Sequence, residues 1–193
     1  MTNYGPTYVS VRSSKYENFN NEHEDADLDY ALKLREFERT ARNHVGVIKP
    51  IIIMGIDSLN PQDYTRFPQT LISAIGRFKK YNLDALIIFT QAPGQTSFNI
   101  VERRIAILSQ DLTGLVLPHD YFGTHLNTHG FTMDAEVEKL NIKKAGEVLA
   151  EVWSMNKIDN YNVVAQYLDP PAEVDEVVRS VDVKLTLTHI IDL

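Results

Sequence analysis

Two carboxylates, Asp57 and Glu102, and the histidines of one loop are the residues whose types and spacing could do chemistry. Asp57 directly follows an apolar run, Ile51 to Ile56. Such a run reads as a strand covered on both faces, as in the middle of an α/β sheet. Ligands of open α/β sheets bind beyond the carboxyl ends of strands, and a carboxylate there can hold a divalent cation. The plainer alternative is that Asp57 closes the local turn with its own side chain. Glu102 stands in Asn99-Ile100-Val101-Glu102-Arg103-Arg104. Asn99 followed three residues later by Glu has the spacing of a capping box, with Asn in place of Ser or Thr. An acid near a helix N-terminus also suits the helix dipole. Capping and metal binding put the carboxylate at the same point, so the pattern leaves both open. Arg103 and Arg104 either contact phosphate or are solvated helix charges.

His119, His125 and His129, with Asp120, raise the question of a metal site. Their spacing is not that of a helical His-x-x-x-His pair with its Glu, and Gly123 and Gly130 argue against a helix there. The segment from Gln91 to Ser97 lacks the Gly-x-x-x-x-Gly-Lys-Ser spacing of a phosphate-cradling loop. No dinucleotide fingerprint and no nucleophile elbow occur. Cysteine is absent, which removes disulfides, thiolate zinc sites and a cysteine nucleophile.

The elements that must position these residues follow from hydrophobic period. Val9 and Val11 alternate with Ser10 and Arg12, which predicts a half-buried strand over residues 6–12. Residues 13–27 are polar and read as a solvated loop. Asp27 then caps a helix over about 28–42. After the strand at 51–56, Leu71, Ile75 and Phe78 give a helix over about 68–81 one apolar face. A second buried strand covers 83–90, and a helix with Val101, Ile105, Leu108 and Leu112 covers 100–112. A loop-rich stretch, 115–133, leads to a long helix over 134–155, in which Trp153 is a core residue. Pro170-Pro171 breaks the chain, and residues 183–193 alternate like a strand or a loosely appended piece. This order predicts a layered α/β domain.

The chain has 193 residues, enough for one domain with a real core. It carries a net charge of −7, which argues against strong attraction to nucleic-acid phosphates. No apolar run is long enough to span a membrane, and the first residues do not read as a signal peptide. An intracellular protein is the simplest expectation.

Several blocks in order resemble transposase-like proteins of mobile elements. They are Gly5 to Ser13, Leu83 to Arg104, Leu108 to Leu126 and Ala145 to Ser154, which together span most of residues 5–168. The resemblance implies a ribonuclease-H-like mixed sheet flanked by helices, with a DDE/D-type catalytic core. It implies nuclear DNA as partner. It also implies three acids holding two cations, Mg²⁺ or Mn²⁺, about 3.5–4 Å apart for phosphoryl transfer. Asp57 matches the family's second acid, after the fourth strand of that core. Glu102 matches the third, early on a later helix.

Two departures accompany the match. The family's strand-end Asp is usually followed by Gly-Gly-Pro, and here the sequence is Asp57-Ser58-Leu59-Asn60-Pro61. The lost glycines remove easy positive φ and close backbone approach. The family's first acid lies on a strand upstream of the Gly5-Pro6-Thr7-Tyr8 block, almost where this chain begins. The expectation is therefore a core over residues 1–168 lacking its first strand and first acid, with 169–193 as a C-terminal extension. Such a domain would be catalytically incomplete. The rival expectation is a non-catalytic scaffold that binds a protein partner, or itself, at an open sheet edge. A small hydrolase using Asp57 with His119 is a third.

Overall fold

The computed structural model describes residues 5–17, 21–56, 68–90, 100–170 and 186–188. The first strand, β1 (Thr7–Val11), is buried along its whole length. This differs from the half-exposed strand its alternation predicts. The polar members of the alternation are paired inside the protein, which is what burial requires of them. Ser10 Oγ donates to Asp27 at 2.7 Å, and Thr7 Oγ1 accepts from Arg104.

Of the stretch 13–27, expected to be a solvated loop, residues 21–27 are helical. Helix α1 spans Asn21–Ala31, and the chain continues through a 3-10 turn, Arg35–Phe37, into the short α2, Glu38–Ala41. Asp27 lies inside α1 rather than capping a helix. Its carboxylate takes hydrogen bonds from Ser10 and Arg12, so a tertiary ion pair outweighs the local capping preference.

A parallel pair follows, β2 (Ile51–Ile56) and β3 (Ala85–Thr90), joined through α3 (Pro68–Lys80). Helix α4 spans Ile100–Gln110 and α5 spans Ala135–Ser154. Asp134 caps α5, accepting from the amides of Glu136 and Val137 at 3.1 and 3.0 Å. Three strands close the chain: β4 (Lys157–Ile158), β5 (Tyr161–Tyr167) and β6 (Thr186–Thr188). The main sheet is mixed, in the order β4-β5-β1-β6. β5 runs parallel to β1, with Thr7 opposite Val163, and β6 runs antiparallel on the other side, with Val9 opposite Leu187. The tail thus contributes a strand to the sheet.

Successive residues of a strand point to opposite faces, and β1 uses both. Val9 and Val11 pack with Leu108, Leu149, Ala150, Trp153, Ile158 and Val163. Tyr8 packs on the opposite side with Leu28, Ala31, Leu32, Phe37 and Ala41. Met54 of β2 and Val164 of β5 touch the margin of that second cluster, which joins the two sheets. The result is an α/β domain with helices on both faces of the main sheet.

The β2–α3–β3 unit departs from expectation. Ile51 and Ile87 are exposed, so the parallel pair is not covered on both faces. The apolar stripe of α3 also faces solvent, with Leu71, Ile72 and Phe78 exposed and Ile75 54% exposed. Arg77, only 4% exposed, is the residue turned inward. It pairs with Asp25 and, at 3.4 Å, with Glu24, while Lys80 and Tyr81 pair with Asp29. The acidic side of α1 therefore decides which face of α3 docks. Among the described residues, no helix is long and apolar enough to cross a membrane.

Candidate functional site

β2 and β3 end together, because Ile56 lies opposite Thr90 in the last register pair. Asp57 is the next residue in sequence after β2 and lies outside the described residues. Glu102 is placed by α4, in whose first turn it sits. Its side chain is partly buried, and among the described residues its carboxylate accepts no hydrogen bond and joins no ion pair. The first turn sets this carboxylate at the positive end of the helix dipole. Its hard oxygen donors suit Mg²⁺ or Mn²⁺. The donor chemistry of Asp57 and Glu102 thus fits the implied cation.

The two arginines beside Glu102 part company. Arg103 is exposed, whereas Arg104 is buried. Arg104 Nη1 donates to the carbonyl of Gly5 at 2.8 Å and to Thr7 Oγ1, and Nη2 pairs with Asp159 at 2.8 Å. It therefore ties α4 to the start of β1 and to the β4–β5 turn, where Asp159 and Asn160 both adopt positive φ. An arginine so engaged is not presented to phosphate.

The three histidines do not converge. His119 is exposed beside Asp120, with 3.7 Å between its Nε2 and the carboxylate. The backbone N–H of His129 donates to Asn127 Oδ1. His125 is enclosed, with Asn141 at 3.0 Å from Nδ1 and Glu138 at 3.7 Å from Nε2. The loop that holds them is folded. Residues 126 and 132 bridge as a small hairpin, with Asn127 accepting from the amides of His129 and Phe131 and Gly130 at φ 80°. The same device closes residues 42–48, where Asn43 accepts from Val45 and Val47 and Gly46 has φ 81°. The Asn-x-x-Gly spacing common to both was the signal for these hairpins.

Two polar clusters lay outside the sequence reading. Arg12 bridges Glu17 at 2.5 Å and Asp27 at 2.7 Å, and His23 reaches Glu17 at 2.6 Å. This network fastens the end of β1 to α1. Glu138 is the second hub. Lys15 meets both its oxygens at 2.7 Å, Thr132 donates at 2.9 Å, and Tyr16 donates as well. Burial opposes ionisation of Glu138, but the hydrogen bonds from Lys15, Tyr16 and Thr132 outweigh it and hold the carboxyl below its ordinary pKa. Both oxygens of Glu138 are engaged by protein groups that hold the turn at 14–16 and the hairpin against α5, whereas in the first cluster Arg12 Nε and Glu17 Oε2 are buried without a hydrogen-bond partner among the described residues.

No protein-family model, no curated protein and no solved structure matches this chain, so the reading of its site rests on its own residues and their geometry.

Proposed function

We propose that the chain is a transposase-derived, ribonuclease-H-like domain that keeps a weak divalent-cation site made by Asp57 and Glu102. Nuclear DNA is the ancestral partner on this reading. The observation that carries it is Glu102: a partly buried carboxylate without a protein partner among the described residues, in the first turn of the helix that follows a parallel strand pair. When bound, Mg²⁺ or Mn²⁺ would supply charge stabilisation for phosphoryl transfer. Two carboxylates hold such an ion largely through its retained waters. They also leave much of the developing charge uncompensated, so this chain alone is expected to bind metal without cutting DNA.

Calorimetric titration with Mn²⁺ tests the reading. Saturable binding that is lost in Asp57→Asn and in Glu102→Gln supports it. No binding, or binding that neither variant weakens, overturns it. Mg²⁺- or Mn²⁺-dependent cleavage of duplex DNA, abolished by Asp57→Asn, would keep the site and overturn the incompleteness.

A second reading is a protein-interaction scaffold. The exposed stripe of Leu71, Ile72, Ile75 and Phe78 favours it, because contiguous apolar surface on a folded domain commonly marks a contact. Sedimentation at rising concentration, with and without Ile75→Lys, separates a self-associating chain from a monomer.

A further inference from the structure

We infer that Arg104 is the positioning residue of the Glu102 carboxylate, an inference that rests on the cation-site reading above. Residues two apart on an α-helix point about 200° away from each other. Arg104 turned into the protein therefore directs Glu102 to the opposite side of α4. The helix is pinned on its inner face at two points one turn apart. Leu108 is fully buried, and its carbonyl accepts from Trp153 Nε1 at 3.0 Å. Arg104, 3% exposed, is held by the Gly5 carbonyl, Thr7 and Asp159.

Two pins fix both the rotation of α4 about its axis and its position along it. The Arg104 pin is the one next to the first turn. Gly5 and Thr7 lie at the entry to β1 and Asp159 in the β4–β5 turn, so the guanidinium fork resists sliding as well as rotation. Without it, the first turn is free to rotate about the Leu108 anchor, and the carboxylate loses its aim. Lysine keeps the charge but cannot reproduce a planar fork with several fixed donors.

The test is Mn²⁺ affinity by calorimetry in the full chain. The variants are Arg104→Gln and Arg104→Lys, with Leu32→Ala as a destabilised control and Glu102→Gln as the site control. Leu32 is buried in the core cluster on the other side of β1, which includes neither Arg104 nor Gly5, Thr7 or Asp159. The expected result is a loss of affinity of about 10-fold in Arg104→Gln, the scale typical of residues that orient metal ligands. Arg104→Lys should recover part of it, and Leu32→Ala should bind as the parent does. Unchanged affinity in folded Arg104→Gln, with Glu102→Gln still abolishing binding, overturns the positioning role and leaves the site intact. An equal loss in Leu32→Ala also overturns it, because general loosening would then account for the effect. No binding by the parent chain overturns the site and the positioning role together.

Discussion

The sheet built on β1 and the β2–α3–β3 unit start from similar sequence material and end in different environments. Both have an apolar strand and a helix with apolar residues at helical spacing. Around β1, strands and helices arriving from distant parts of the chain close over both faces, and Trp153 and Val9 are almost wholly removed from solvent. In the second unit, α3 docks through Arg77 and leaves its apolar stripe outside. The contrast teaches that a hydrophobic stripe states what a helix could bury. The charges of its neighbour can still choose which face is buried. Parallel sheets are ordinarily covered on both sides, and the exposed Ile51 and Ile87 set β2–β3 apart from that rule.

The largest expected effect lies at the centre of the closed region. Trp153→Ala removes the largest fully buried side chain among the described residues and its bond to the Leu108 carbonyl, and should cost about 3–5 kcal/mol. Denaturant unfolding measures it. A cost near zero would mean that the two regions do not differ in packing after all.

An intermediate effect is expected at Glu138. Its folded-state pKa is depressed, so its contribution is present above the ordinary carboxylate pKa, about 4.5, and fades as pH falls through and below that value. Glu138→Gln should lower stability by about 1–3 kcal/mol at neutral pH through broken hydrogen bonds. It should also flatten the acid side of the stability profile. A variant whose acid limb matches the parent would exclude Glu138 as its source.

The smallest effect belongs to the open region. Ile75→Lys should change stability by no more than about 0.5 kcal/mol, as at other exposed positions. A cost comparable to Trp153→Ala would show that the stripe is covered in solution, and the comparison of the two regions would then describe one copy rather than the assembled protein.

Local signals found the pieces that depend on near neighbours. β2 and β3 stand where the apolar runs predict them, α3 begins at Pro68, and α5 begins behind the Asp134 cap. β5 is not legible in the sequence, because Asn162 and Gln166 interrupt its apolar residues and its pairing partner is β1. The buried side of α5 is also not made of its apolar residues alone. Glu138 and Asn141 lie on it beside Leu149 and Trp153, because each polar group finds hydrogen-bond partners there. Of the candidate site, the first-turn place of Glu102 was legible from Asn99-x-x-Glu, and Asp57 falls outside the described residues. The burial of Arg104 was not legible, since its partners come from Gly5, Thr7 and Asp159.

The sequence by itself determined an α/β chain without cysteine chemistry, the apolar strands β2 and β3, and the place of Glu102 early on its helix. These depend on backbone preferences and on spacing within a few residues. Only the tertiary structure decided that Asp27 is a buried ion-pair partner, that Arg77 and not the apolar stripe faces inward, and that Arg104 pins the helix bearing Glu102. Each of those outcomes is set by charges that meet across long sequence separations, where desolvation makes pairing obligatory.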